Sequence, residues 1–197
     1  RGAAGLRGQL PNMSDLSLAP IHTCLSLARQ ALFLSNPNPR VGCVLVAPDG
    51  RVIGQGSTQQ AGGPHAEIMA LRDAAAAGQD VRGATAYVTL EPCAHQGRTG
   101  PCCDALAAAG IAKVVASVAD PNPLVAGQGF ARLRAAGIKV EVGPGSAESR
   151  ELNIGFFSRM IRGTPWVRLK TAMSLDGTTA LGNGASQWIT GQAARTD

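Results

Sequence analysis

Between positions 20 and 35 the apolar residues Ile21, Cys24, Leu25, Ala28, Ala31 and Leu32 recur at intervals of three and four, which predicts a helix with one apolar face. The periodicity ends at Asn36-Pro37-Asn38-Pro39-Arg40, because neither proline can continue a helix. Short apolar runs at 41–47 and 51–55, joined by Pro48-Asp49-Gly50, then predict a β-hairpin. Gly62-Gly63-Pro64 leads into an alanine-rich helix over 65–77 that Gly78 closes. Beyond it, strands at 84–90, 113–117 and 138–142 alternate with helices at 101–109, near 129–136 and near 146–162. Gly163-Thr164-Pro165 reads as a linker, and 166–174 as the strand that opens something new.

Strands alternating with helices of these lengths predict an α/β fold, a three-layer sandwich with a sheet between helices. The expected organisation is an N-terminal extension without order at 1–19, one domain at 20–162, and the start of a second domain at 163–197. A chain of 197 residues is long enough for one good core with something left over.

Composition adds little to this picture and excludes some partners. The 45% apolar and 16% charged residues are those of an ordinary globular protein. No apolar run approaches the roughly 20 residues that span a bilayer, so no membrane partner is expected. The net charge of +5 rests mostly on arginine and fits either an arginine-rich base composition or an anionic substrate. Five cysteines, an odd count, with no secretory signal predict a reducing, cytoplasmic setting rather than a disulfide framework. A homo-oligomer is compatible with all of this.

The candidate chemistry is concentrated between 65 and 103: His65-Ala66-Glu67, then Glu91-Pro92-Cys93-Ala94-His95, then Pro101-Cys102-Cys103. This is a variant of the His-x-Glu … Pro-Cys-x-x-Cys pattern in which one histidine and two cysteines hold zinc and the glutamate moves protons. Here eight residues, not two, separate the cysteines. Three ligands, His65, Cys93 and Cys102, suit a catalytic zinc site, which keeps a position for water, better than a structural one closed by four. Residues two apart on an ideal helix point about 200° away from each other, so His65 and Glu67 share a site only if the histidine lies at the helix start. Cys103 competes for the third position, but about 100° of rotation separates it from Cys102 and both cannot face one metal. Cys102 is favoured because, like Cys93, it directly follows proline.

Beyond the zinc pattern, Asn-Pro-Asn-Pro-Arg-Val-Gly-Cys-Val-Leu-Val at 36–46, the run from Val88 to Cys103 and Asp-Pro-Asn-Pro-Leu-Val-Ala-Gly at 120–127 resemble the deaminase half of the bifunctional RibD family of riboflavin biosynthesis. Leu-Lys-Thr-Ala-Met-Ser-Leu-Asp-Gly at 169–177 and Ser-Gln-Trp-Ile-Thr at 186–190 resemble the start of its reductase half, which is similar to dihydrofolate reductase. The resemblance implies a cytidine-deaminase-like sandwich with a central mixed sheet, followed by the first strand of a truncated reductase domain. It implies deamination of 2,5-diamino-6-(5-phosphoribosylamino)pyrimidin-4(3H)-one with Zn2+, His65, Cys93 and Cys102 as ligands and Glu67 as proton carrier. Asn38, His95, Arg98, Asp120 and Asn122 fall on its substrate positions. In the reductase part, Ser186 falls on a substrate position and Ala172 and Trp188 on contacts to the cofactor NADPH. Thr58 stands where relatives often carry a histidine.

Two other readings compete. A nucleic-acid deaminase would suit the positive charge, but the eight-residue gap and an aromatic content of only 4% argue against it, so a small phosphorylated pyrimidine is the expected partner. A non-catalytic zinc module would have no need of Glu67 beside an open coordination position.

Overall fold

The computed structural model describes residues 13–95, 100–123 and 125–196. Five strands, β1 (Gly42–Val46), β2 (Val52–Ser57), β3 (Thr85–Val88), β4 (Lys113–Ala116) and β5 (Lys139–Val142), form one sheet in the order β2-β1-β3-β4-β5. β1 runs antiparallel to β2 and β3, whereas β3, β4 and β5 are mutually parallel. The hairpin closes through Gly50, whose φ of +88° suits the turn, and Asp49 accepts a bond from the Arg51 N–H.

Period-two alternation divides the core between the two faces of the sheet. Cys43 and Leu45 of β1, Ala86 and Val88 of β3, and Val114 and Ala116 of β4 face helices α2 (Ala66–Ala76), α3 (Cys102–Ala108) and α4 (Gln128–Ala135). Val44, Val46, Tyr87 and Val115 face the opposite way, onto Ile21, Cys24 and Leu25 of helix α1 (Met13–Gln30). The result is a mixed five-stranded sheet between two helical layers.

Helix–sheet packing is close because glycines face the helices. A Cβ added to Gly42 would lie 1.9 Å from the Cys24 carbonyl oxygen of α1. At Gly56 it would lie 2.5 Å from the Ala70 nitrogen and 2.6 Å from the Ala66 oxygen of α2. These glycines let α2 lie directly on β2, and that seating fixes where its first turn sits.

The structure departs from the sequence-based expectations in three places. Helix α1 begins at Met13, seven residues before Pro20, so the part of the expected extension at 13–19 is helical and only 1–12 falls outside the described residues. The helix expected near 146–162 is two helices, α5 (Ser146–Leu152) and α6 (Ile154–Arg162). The break is Asn153, whose side-chain amide bonds the Arg40 backbone on both sides, accepting from its N–H at 2.7 Å and donating to its carbonyl at 2.9 Å.

The third departure is in the second unit, Trp166–Asp197. Residues 166–174 form no strand; the unit's described residues contain turns and one short helix, α7 (Gln192–Thr196). An extended segment becomes a strand only when a neighbour completes its ladder, and the unit's described residues contain none. No helix among the described residues is long and apolar enough to cross a membrane.

Candidate active site

The parallel strands β3 and β4 both deliver their carboxyl ends to the same edge of the sheet, where α/β folds commonly bind ligands. Residues 89–95 leave β3 there and residues 117–123 leave β4, at the edge that also holds the amino-terminal turns of α2 and α3. His65 is the N-cap residue of α2, with extended backbone (φ −75°, ψ 166°), and Glu67 lies in the first turn. The cap geometry turns the imidazole back toward the carboxyl group, which a mid-helix position would forbid.

His65 Nδ1 lies 3.5 Å from Cys93 Sγ and 3.3 Å from Cys102 Sγ, and the three donor atoms all fall within 4.8 Å of one another. Zinc–sulfur bonds of about 2.3 Å and zinc–nitrogen bonds of about 2.0–2.1 Å at tetrahedral angles would separate N and S donors by about 3.5 Å. The donor set and its spacing therefore fit a tetrahedral zinc ion with one position left open. Cys103 is excluded from it: its side chain is 1% exposed, sits in the main apolar cluster and reaches Asp104 Oδ1 at 3.8 Å.

The two thiols of the cluster are split in opposite directions: their shared hydrogen bond, with burial, raises Cys102 while Cys93 is held low. Hydrogen bonding from Cys102 holds the Cys93 thiol well below its ordinary value, with help from His65. The Cys102 N–H, in the first turn of α3, donates to Cys93 Sγ at 3.3 Å. The same proximity raises His65, chiefly through its bond with Cys93. Glu67 is 4% exposed, and burial pushes its carboxyl up to about 7, with the neighbouring Cys93 charge adding to the effect.

Beside this cluster is a cavity of about 240 Å³. His65, Glu67 and Cys93 line it, and Asn38, His95, Asp120 and Asn122 reach it from three separate loops. Burial raises the Asp120 carboxyl, and Asp120 Oδ1 accepts the Asn122 N–H at 2.8 Å.

Residues 17–118 match the family described as the cytidine and deoxycytidylate deaminase zinc-binding region, and 165–197 match the RibD C-terminal domain. The riboflavin biosynthesis protein RibD of Escherichia coli (strain K12) is 57% identical over 173 residues, which is 88% of this chain and 46% of that protein. The chain belongs to the RibD group of zinc-binding deaminases.

RibD of Acinetobacter baumannii matches in structure with a TM-score of 0.83 and 51% identity, over 92% of this chain and 50% of that one. The diaminohydroxyphosphoribosylaminopyrimidine deaminase/5-amino-6-(5-phosphoribosylamino)uracil reductase of Thermotoga maritima matches with a TM-score of 0.87 and 40% identity, over 94% and 52%. The chain spans about half the length of the RibD relatives it matches.

Of the remaining RibD-like positions, Arg98 lies outside the described residues. Ser186 and Trp188 line a separate depression of about 670 Å³ within the second unit, and Ala172 is exposed and does not line it. Thr58, buried at 4% exposure, also reaches the first cavity; its hydroxyl accepts the Val41 N–H at 3.1 Å.

Several residues at this site escaped the sequence reading. Phe156 and Met160, one turn apart on α6, line the cavity although nothing in their local pattern marks them. Asn153 and Arg159 tie that helix to the 36–40 segment, Arg159 by donating to the Pro37 carbonyl at 3.1 Å. Glu91 was visible as part of Glu-Pro-Cys but received no role. A carboxylate between an apolar strand and a buried proline was itself a signal, since charged side chains are rarely buried without partners.

Proposed function

We propose that this chain hydrolytically deaminates 2,5-diamino-6-(5-phosphoribosylamino)pyrimidin-4(3H)-one. The observation that carries the proposal is the buried Glu67 carboxyl, which lines one cavity with His65 and Cys93 of the three-donor metal cluster and with polar groups from separate loops. Zinc bound by His65, Cys93 and Cys102 supplies a Lewis acid that lowers the pKa of water to about 7.

In the reaction, water adds to the ring carbon that bears the 2-amino group, the carbon–nitrogen bond breaks, and ammonia leaves behind a carbonyl. Glu67 takes one proton from the attacking water and gives it to the ring nitrogen, then takes the second from the new hydroxyl group and gives it to the departing amine, so that ammonia leaves as the carbonyl forms. Burial raises the Glu67 carboxyl in the metal-free site, toward the range in which proton carriers work best. Asn38, His95, Asp120 and Asn122 orient the ring and its substituents, and Arg98 meets the phosphate. A guanidinium can do so through two parallel hydrogen bonds.

For the second unit, the likeness to the RibD C-terminal domain supports an NADPH-dependent reductase site. Within it Ser186 would contact substrate and Ala172 and Trp188 the cofactor.

The test is ammonia release by zinc-loaded protein from the diaminopyrimidine phosphate, cytidine, deoxycytidylate and a tRNA anticodon stem-loop. Turnover of the first alone is the expected result. Preference for any other substrate refutes the substrate assignment, and no turnover of any in protein holding one zinc per chain favours a non-catalytic zinc module.

A further inference from the structure

Glu91 plays no part in the chemistry above, yet its carboxylate is only 4% exposed and both oxygens are committed to backbone. Oε2 accepts the N–H groups of Asp120 at 3.1 Å and Gly127 at 3.0 Å; Oε1 accepts those of Gly129 at 2.9 Å and Phe130 at 3.3 Å. Two of these four donors lie in the first turn of α4, where the helix leaves N–H groups without internal partners and where negative charge is favoured. No side chain of α4's own N-cap residue, Gly127, supplies that cap.

The other two donors bracket the loop that carries Asp120 and Asn122 to the cavity. One carboxylate thus holds both ends of the loop. The Glu91 N–H adds a third tie by donating to the Val118 carbonyl at 2.9 Å. Inside the loop, Asp120 accepts the Asn122 N–H, and the Asn122 carbonyl accepts the N–H groups of Val125 and Ala126, so a shift at either end is transmitted to both side chains.

Glu91 is also two residues before Cys93, with only Pro92 between them. A Cβ added to Gly129 would lie 2.0 Å from the Pro92 carbonyl oxygen, so the start of α4 rests directly on the Glu-Pro-Cys backbone. The loop and the metal ligand are therefore referenced to the same three residues.

From this geometry we infer that Glu91 is a positioning residue for substrate recognition, fixing Asp120 and Asn122 relative to the Cys93 ligand. The inference rests on the proposed reading that those two side chains contact the pyrimidine substrate. A neutral amide at 91 would keep one acceptor oxygen but turn an NH2 group toward donors that need an acceptor.

The first measurement needs no variant. In wild-type protein, amide hydrogen exchange at Asp120 should be as slow as in the first turn of α4, because both are tied to one buried carboxylate. Exchange at Asp120 at the rate of an untied loop overturns the inference. Next, zinc-loaded Glu91→Gln should retain about one zinc per chain and lose that protection. Its KM for the diaminopyrimidine phosphate should rise about tenfold or more, with kcat changed much less, as expected when substrate binding is what is lost.

The decisive arm is a pair of mutant cycles. Glu91→Gln should be strongly non-additive with Asn122→Ala, through which it acts, and additive with Asn38→Ala, which reaches the cavity from the separate 36–40 segment. Equal coupling to both, or an unchanged KM, would show that Glu91 merely caps a helix. If the wild type deaminates deoxycytidylate but not the diaminopyrimidine, the substrate reading fails, and the same two cycles on deoxycytidylate decide the role of Glu91.

Discussion

Replacing Gly56 with alanine should damage the metal site from a distance, through one methyl group. Gly56 lies in β2 beneath α2, and its added Cβ would sit 2.5 Å from the Met69 Cβ, 2.5 Å from the Ala70 nitrogen and 2.6 Å from the Ala66 oxygen. Two of these atoms are helix backbone, so no rotamer change relieves them. Reaching the 3.4 Å at which ordinary contact begins requires α2 to lift by about 0.9 Å. Ala66 stands between His65 and Glu67, so the same movement shifts both relative to Cys93, which follows β3 in the chain.

Metal sites tolerate departures of about 0.2 Å in ligand distance, and loss of the groups that orient a ligand costs about 10–100-fold in affinity. Gly56→Ala should therefore lose about 1–3 kcal/mol of stability in the zinc-free protein through overpacking, and zinc affinity should fall by about 10–100-fold. Urea unfolding of the zinc-free protein and zinc competition against a colorimetric chelator measure the two effects separately. Gly155→Ala is the control: nothing lies within 4 Å of its added Cβ, so in helix α6 it should stabilise by about 0.5–1 kcal/mol and leave zinc binding unchanged. Lost stability with wild-type zinc affinity in Gly56→Ala would refute the idea that strand–helix contact sets the ligand geometry.

The other predictions concern the site itself. Glu67→Gln should keep its zinc by metal analysis while ammonia release falls by about 10²–10⁴-fold; near-normal turnover would end its role as proton carrier. Cys102→Ser should lose zinc far more readily than Cys103→Ser, whose side chain lies in the apolar core; the reverse order in a chelator titration would reassign the third ligand. After zinc removal at neutral pH, iodoacetamide should label Cys93 first, because it is half-buried and its thiol is held low. Cys24, pushed up to about 12 by burial, and Cys43, raised well above its ordinary value by the same cause, should stay unlabelled until the protein unfolds, and early labelling of either by mass spectrometry would contradict the packing. Arg98→Ala and removal of the substrate phosphate should be non-additive in kcat/KM, and full additivity would place the phosphate elsewhere.

Local features of the chain were legible wherever one segment settles its own structure. The hairpin at 41–55, the start of α2 after Gly62-Gly63-Pro64 and the alternation that builds the sheet all follow from short-range pattern, because turn residues and side-chain period act over a few positions. The His65–Glu67 pair was readable for the same reason, since a helix cap is a local event. The place after proline was enough to favour Cys102 over Cys103, and the packing of α3 supplies the physical reason, because Leu106 and Cys103 are what it buries against the sheet. The split between α5 and α6 was invisible because Asn153 makes its bonds to Arg40, 113 residues earlier. Glu91 and the α6 side chains Phe156 and Met160 reached the cavity only through folding, which brings chain ends and distant loops to one edge of the sheet. In the segment 166–174 an extended pattern alone made no strand, because a ladder needs hydrogen bonds that a single segment cannot make with itself.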